Sequence, residues 1–201
     1  MELWETLRRR RMVRAFRPDT VPRDALDRVL ASVLHAPSAG FTQGNEYLVL
    51  DDPEAVAWFW TATDDPDDPM DDEDRSRLAP VVVVPLAHKA AYLARYSLPD
   101  KEPHGLGDEQ RWPVPFWYVD AGMASMCMLL AAVEEGLGAW FFGVAHGEEE
   151  VLRRFGVPEG LRPAGYIALG LAADADPLSQ TSSARTRRRR PVDELVHRNG
   201  W

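Results

Sequence analysis

Apolar residues recur along one stretch of this chain at the spacing of a helix. Leu26, Val29, Leu30, Val33 and Leu34 are separated by steps of three, one, three and one residues. These steps place the five side chains on one side of a helix and predict an amphipathic helix over residues 22–35.

Unbroken apolar runs elsewhere mark the predicted core. Val81 to Val84 are four consecutive β-branched residues, which predict a strand buried on both faces. Residues 118–136 are apolar on nearly every side, and a helix of this kind belongs at the centre of a domain. The other predicted elements are helices over residues 3–11, 54–62, 88–96, 148–155 and 192–197, and strands over residues 47–50, 139–143 and 166–169.

Together these elements predict an α+β fold in which helices pack a central sheet. The chain has 201 residues, of which 45% are apolar and 27% are charged, as in ordinary globular proteins. That length predicts a single domain over residues 1–201. Residues 99–117 contain four prolines and are expected to form a loop or lid of this domain.

The negative charge of the chain is concentrated in one segment. Residues 64–74 contain eight acidic side chains, and without them the net charge of −9 becomes −1. A solvated surface loop is the favoured interpretation. The alternative is a calcium site, but Pro66 and Pro69 interrupt the ligand spacing and no glycine stands where the turn of an EF-hand loop needs one.

The composition and motifs argue against disulfides, metal sites and several common catalytic motifs. The single cysteine, Cys127, excludes an internal disulfide framework and a thiolate metal cluster, and the five scattered histidines argue against a zinc site. No metal site is therefore predicted. The chain also lacks a Gly-x-Ser-x-Gly elbow and a P-loop. Cys127 lies within an apolar run and is expected to be a core residue rather than a nucleophile.

No membrane or export signal is predicted. The longest uncharged apolar run, from Ala121 to Val133, is too short to span a bilayer. The first arginines follow Leu3 and Trp4 with no apolar stretch after them, which is the reverse of a signal peptide. We therefore expect a cytoplasmic protein.

The basic residues are nearly all arginines, 21 against two lysines, and they form two clusters. Six arginines lie between Arg8 and Arg17, and five lie between Arg185 and Arg190. Such clusters could bind a nucleic acid. They could instead converge in the fold on one phosphate group, which guanidinium forks match well.

Four motifs occur in a fixed order along the chain. Residues 10–16 are Arg-Arg-Met-Val-Arg-Ala-Phe, and residues 36–43 are Ala-Pro-Ser-Ala-Gly-Phe-Thr-Gln. The long helix ends in Gly-Leu-Gly at residues 136–138 and leads into a strand that ends at Gly143. An arginine run before Pro191 follows. In these motifs and their spacing the chain resembles the FMN-dependent nitroreductase family over essentially its whole length.

The resemblance implies both a fold and a cofactor site. The fold is a nitroreductase-like mixed or antiparallel central sheet packed by helices, with a long buried central helix. The phosphate and ribityl chain of FMN are held at the first motif and by the closing basic pair. The positions that match are Arg10, Arg11, Met12 through its backbone, Arg14, Arg187 and Arg189.

The remaining motifs are implied to contact the flavin ring. Residues of the second motif lie along the ring edge, and the backbone at the end of the strand offers N–H groups near the reactive nitrogen, where they favour a reduced, anionic flavin. The matching positions are Pro37, Ser38, Ala39, Phe41, Gln43, Phe142 and Gly143. Three departures fall here: Met12 replaces the family serine, Phe41 its asparagine, and Gly44 its proline.

The resemblance also implies an activity and an assembly. We expect an FMN-dependent oxidoreductase that passes hydride from NADH or NADPH to a nitroaromatic, a quinone or a similar small acceptor at one site, with no catalytic side chain. A homodimer with the flavin at its interface is implied, with no nucleic-acid or membrane partner. The altered second motif favours one alternative, a flavin enzyme of this fold specialised for a biosynthetic oxidation or reduction with a different donor. The arginine clusters favour another, a non-enzymatic polyanion-binding protein.

Overall fold

A computed structural model of the chain describes residues 1–67, 74–175 and 187–201. The acidic segment therefore lies partly outside the described residues, as does part of the C-terminal arginine cluster, and the organisation of residues 1–201 as one domain stays a prediction. The helices are α1 Leu3–Arg9, α2 Arg23–Ala31, α3 Pro53–Ala62, α4 Lys89–Tyr96, α5 Phe116–Glu134 and α6 Glu148–Arg154. The strands are β1 Asn45–Leu50, β2 Val81–His88, β3 Gly138–Phe142, β4 Leu161–Pro163 and β5 Tyr166–Gly170.

The five strands form an antiparallel sheet with β1 and β3 at opposite edges. The order is β1-β2-β5-β3, and β4 pairs with the far end of β2. Leu50 lies opposite Val82, Val83 opposite Ile167, and Ala139 opposite Leu169. Since neighbouring strands are spaced by about 4.8 Å, the three steps from β1 to β3 separate the edges by roughly 14 Å.

Both faces of the sheet are covered, as the β-branched run in β2 predicted. Val82 and Val84 pack with Phe59 of α3 and Val151 of α6. Val81 and Val83 point to the opposite face, where they join the core beneath α2 and α5. All four valines are at most 3% exposed. Complete burial of such a side chain is worth roughly 1.5–3 kcal/mol, so β2 is the centre of the fold.

The predicted strand at Val81 continues through a proline to His88. Pro85 has no N–H to donate, which normally excludes proline from a central strand. Its carbonyl accepts the Ala164 N–H at 2.8 Å, so its nitrogen also faces the turn between β4 and β5. Along β2, pairing with β5 ends at Val83 and pairing with β4 starts at Leu86. Pro85 lies in the unpaired gap between these two stretches, so its missing N–H breaks no ladder hydrogen bond.

Helix α5 is the long central helix that the sequence predicted, but only one side of it is buried. Met128 and Ala132 are fully buried against the sheet, whereas Tyr118, Met123 and Met126 are 40%, 41% and 37% exposed. Its most apolar window has a mean hydropathy of 1.5, with 44% buried inside the fold, and by length and composition alone the helix could cross a membrane. The core helix of a soluble protein meets the same criterion.

Other boundaries differ from the prediction in ways that turn chemistry explains. The helix expected to reach His35 ends at Ala31 and tightens into a 3-10 turn over Ser32–His35. α1 ends at Arg9 instead of residue 11 because the next residues pair with β3. β4 was not predicted, and the C-terminal helix is reduced to a 3-10 turn over Val192–Glu194.

Alkaline pH is expected to destabilise the fold through its buried tyrosines. Burial raises the pKa of Tyr47 from 10.0 to about 12 and raises the pKa values of Tyr92 and Tyr166 further. The folded state therefore holds protons that the unfolded chain releases, so this contribution to stability is complete below pH 10 and is lost as pH rises through about 12. Urea unfolding across this range should show the fall. If a Tyr47→Phe variant lost the same stability over this pH range as the unmodified protein, Tyr47 would make no contribution to the effect.

Candidate functional site

The first motif lies along the free edge of β3. Met12 pairs with Ala139, and the Val13 N–H donates to the Ala139 carbonyl at 2.9 Å. The Phe141 N–H donates a hydrogen bond to the Met12 sulfur, with an N–S distance of 3.5 Å. The residue that replaces the family serine therefore packs on the strand, and residues 10–14 are held as an outer extension of the sheet.

Two arginines of this motif are only partly exposed. The Arg10 Nη1 atom is buried and has no hydrogen-bond partner in the part of the chain that the structure describes. The Arg14 guanidinium lies 5.8 Å from the ring centroid of Trp140, within cation–π range. A buried guanidinium N–H without an acceptor carries a desolvation cost that an anionic ligand would remove. The donor set of this edge therefore fits a phosphate group.

Arg11 points elsewhere, into a cavity of about 360 Å³ beside the same segment. Arg8 and Arg9 also line this space, with Gly136 and Gly138 at its other side. The structure thus divides the predicted phosphate residues between two places. Arg75, which the sequence analysis did not single out, adjoins the first motif because its carbonyl accepts the Phe16 N–H at 3.1 Å. No local pattern around Arg75 signalled this position.

The end of β3 borders a smaller cavity of about 180 Å³. Phe142 and Gly143 line it together with Trp60 and Trp140. The Phe142 ring stacks between the two indoles, with centroid distances of 4.4 Å to Trp140 and 5.4 Å to Trp60. Phe142 is therefore part of the aromatic packing within the chain, whereas Gly143 is exposed at the strand end.

The second motif forms a strained loop after α2. Gly40, Phe41 and Gln43 all have positive φ angles, of 62°, 54° and 51°. Residues other than glycine rarely adopt this conformation, and it is retained where surrounding contacts demand it. Phe41 is 76% exposed, so its side chain projects outward from this constrained backbone. Pro37, Ser38, Phe41 and Gln43 line a cavity of about 200 Å³, here called the loop cavity.

Side chains of α4 and α5 form hydrogen bonds to the backbone of this loop. The Ala39 N–H donates to the Asp120 carboxylate at 2.8 Å, and the Tyr92 hydroxyl donates to the same oxygen at 2.8 Å. Arg95 Nε donates to the Gly40 carbonyl at 3.0 Å. Burial, followed by the bond to Asp120, raises the pKa of Tyr92, which keeps its hydroxyl protonated as a donor. The sequence analysis missed Asp120, although one carboxylate inside an apolar helix was the available signal.

The closing arginine pair lies at the surface of the chain. Arg187 and Arg189 are exposed, and the neighbouring Arg190 donates to Glu194 within the same segment. That both arginine clusters converge on one phosphate group stays a prediction. Trp112 and Trp117, in the Pro-rich segment 99–117, pack within the chain, since Trp117 is 7% exposed and Trp112 contacts Tyr92 and Tyr96.

Comparison with known proteins gives a consistent family. The sequence profile of the nitroreductase family matches residues 7–171. A protein of Methanothermobacter thermautotrophicus named "Putative NADH dehydrogenase/NAD(P)H nitroreductase" is 28% identical over 178 residues, covering 87% of this chain and 79% of the relative. The chain belongs to the nitroreductase family. Family membership and the relative's name together support an oxidoreductase.

Solved structures agree with the nitroreductase fold. A nitroreductase family protein of Streptococcus pneumoniae superposes with a TM-score of 0.74 at 17% identity, covering 98% of this chain and 100% of the other. An FMN-dependent nitroreductase of Clostridium difficile superposes with a TM-score of 0.68 at 20% identity, covering 99% and 100%. These likenesses confirm the predicted fold class.

The nitroreductase motifs occupy opposite edges of the sheet. The first motif and Phe142–Gly143 lie at β3, whereas the second motif leads into β1 and forms a cavity with Tyr47 of that strand. Two strands separate these edges. Within one chain, the residues assigned to the phosphate and the residues assigned to the ring edge are therefore on different sides of the molecule.

Gly138 is expected to control how closely the first motif approaches β3. A Cβ at this position would lie 2.8 Å from Val13 Cγ1 and 3.0 Å from Val13 Cβ, so a Gly138→Ala variant must push residues 10–14 away from the strand. We expect a loss of stability of roughly 1–3 kcal/mol, as for other overpacked sites, measured by denaturant unfolding. Gly200→Ala, where a Cβ meets nothing within 4 Å and the φ angle is not positive, is the control. Equal stabilities of the two variants would contradict this tight contact.

Proposed function

We propose that this nitroreductase-family protein is an FMN-dependent oxidoreductase that takes electrons from NADH or NADPH and reduces a small organic acceptor. The observation that carries the proposal is the buried, unpartnered Nη1 of Arg10 at the edge of β3. A phosphate is the kind of acceptor that this donor lacks. The names of the curated relative and of the FMN-dependent fold neighbour support the same cofactor and donor.

The residues divide into two groups by what they would bind. Arg10, Arg14 and the backbone at Met12 would hold the phosphate and ribityl chain. The ring would lie between Gly143 at the end of β3 and the loop from Pro37 to Gln43. When bound, FMN supplies the two-electron chemistry by which hydride from the nicotinamide reaches the acceptor at a single site. No side chain is required as an acid or base, so the task of the chain is to orient the ring and to exclude water from it.

The positions of these two groups support a homodimer as part of the proposal. Because the first and second motifs lie at opposite edges of one sheet, a complete site needs the second motif of a partner beside the first motif of this chain. The exposed side of α5, with Tyr118, Met123 and Met126, offers an uncharged apolar surface for that contact. Leu34 and Phe41, which are 80% and 76% exposed, extend the apolar surface near the second motif. Exposed apolar patches of this kind mark interfaces between proteins.

Purification without added cofactor tests the proposal. We expect a two-banded flavin spectrum that is bleached by NADH or NADPH under anaerobic conditions and restored by a quinone. Sedimentation should give the mass of a dimer at all concentrations used. A colourless protein that takes up no added FMN would overturn the cofactor assignment, and a monomer that binds FMN fully would overturn the shared site.

The second motif favours one further candidate within the same fold. Phe41 stands where the family has an asparagine, and it borders the loop cavity from left-handed backbone. A specialised biosynthetic enzyme with a different electron donor would use such an altered site. Such an enzyme would be recognised by a bound flavin that dithionite bleaches but that neither NADH nor NADPH bleaches.

A further inference from the structure

A buried carboxylate lies beneath the strained loop of the second motif. Asp120 is 2% exposed, and its Oδ2 accepts both the Ala39 N–H and the Tyr92 hydroxyl. Both donors are neutral, and among the described residues no cationic side chain forms an ion pair with Asp120. A carboxylate buried with neutral donors contributes little net stability compared with an apolar residue of similar size. Its position under the loop points to another task.

The loop needs such an anchor because its conformation is costly. Phe41 and Gln43 adopt left-handed backbone, which is sterically unfavourable for residues other than glycine. The first fixed point is the Ala39 N–H on Asp120, and the second is the Gly40 carbonyl, which accepts from Arg95. Phe41 follows directly, so any shift at Ala39 moves its exposed ring.

We propose that Asp120 is a positioning residue that fixes the Ala39–Gln43 loop and thereby sets which acceptors enter the loop cavity. The Phe41 ring lines this cavity of about 200 Å³, and its location follows from the anchored backbone. Bulky acceptors are excluded while the ring is fixed. This inference rests on the proposed function of the site, because it assigns the choice of acceptor to the loop.

The first arm of the test measures the loop without any turnover. Amide hydrogen exchange of residues 38–43 is compared in the full-length protein and in Asp120→Ala, Asp120→Asn and Tyr92→Phe variants. We expect at least roughly tenfold faster exchange in Asp120→Ala, since the lost bond to a charged acceptor is worth that much or more. Asp120→Asn should exchange slowly, because its carbonyl oxygen can accept both bonds. Ser125→Ala is the control, since Ser125 is equally buried but bonds only to Ala121 within α5.

The second arm measures acceptor choice in the FMN-loaded protein. The ratio of kcat/KM for menadione to that for 1,4-benzoquinone should rise by roughly tenfold in Asp120→Ala, as the released Phe41 ring admits the larger quinone. Asp120→Asn should restore the original ratio, and Ser125→Ala should not change it. If Asp120 only stabilised the fold, the Asp120→Ala variant would lose activity with both quinones equally and the ratio would not change.

Two outcomes overturn the proposal: unchanged exchange of the loop in Asp120→Ala, or faster exchange with an unchanged ratio for the two quinones. If Asp120→Ala does not fold, an Asp120→Leu, Tyr92→Phe double variant carries the same comparison, because it fills the buried volume, removes the acceptor of the Ala39 N–H and leaves no buried hydroxyl without a partner. Tyr92→Phe alone is then its reference, because it keeps the bond between Ala39 and Asp120. A wild-type protein that binds no FMN overturns the proposed function and the assignment of acceptor choice with it. The exchange arm then still decides whether Asp120 anchors the loop.

Discussion

Replacement of Arg10 by alanine is expected to lower the affinity for FMN by roughly 10- to 100-fold, the usual worth of a charge-assisted hydrogen bond. The reason is that Arg10 Nη1 is buried at the edge of β3 without a partner in the described part of the chain. Its removal deletes no hydrogen bond that this atom makes in the flavin-free fold. We therefore expect the stability of the flavin-free protein to be unchanged or slightly higher while flavin affinity falls.

Titration of flavin-free protein with FMN, followed by the quenching of flavin fluorescence, measures this affinity. Arg10→Lys should be intermediate, because lysine keeps the charge and loses the planar fork. Arg153→Ala is the matched control, since Arg153 is 79% exposed on α6 and pairs only loosely with Glu150. An equal affinity in Arg10→Ala and Arg153→Ala would show that the first motif does not hold the phosphate.

A glutamate at Met123 is expected to convert the protein to a monomer and to remove its flavin together. Met123 is 41% exposed on the uncharged side of α5, where the proposed dimer would bury it. An unpaired carboxylate buried in an apolar contact costs several kcal/mol, which corresponds to at least a 100-fold weaker dimer. Because each proposed site takes residues from both chains, the loss of the dimer should also release FMN.

Analytical ultracentrifugation and the flavin absorbance of the purified variant measure the two effects. Leu98→Glu serves as the control, because Leu98 is similarly exposed, at 50%, and lies after the end of α4 instead of on α5. A Met123→Glu variant that remains a dimer would place the interface on another surface. A monomeric variant that retains full flavin would mean that one chain completes the site.

Regular secondary structure was largely predictable because local pattern and burial agree in this chain. The β-branched run of β2 and the apolar sequence of α5 each predicted their element type and central position. β4 was missed because three residues ending at Pro163 carry no periodic signal. The continuation of β2 beyond Pro85 was missed for a different reason, since only the pairing of β4 and β5 leaves the proline nitrogen in a gap.

The candidate site was predictable in composition but not in arrangement. The motifs named the arginines and the second-motif loop, and the structure holds both in partly buried, constrained backbone. Asp120 was not predicted as a site residue, because a single carboxylate in an apolar helix forms no motif with a defined residue spacing. The C-terminal arginines are expected beside the first cluster, and in the structure Arg187 and Arg189 are exposed on a segment with little regular structure.

The sequence by itself determined the element types, the two-sided burial of the central strand and the order of the family motifs. These properties depend on neighbouring residues, through side-chain periodicity and backbone preference. Only the tertiary structure decided that the first and second motifs lie at opposite sheet edges and that Asp120 supports the strained loop. Strand order and contacts between distant helices depend on pairings across tens of residues, which no local pattern encodes, and the case for a shared site between two chains rests on those pairings.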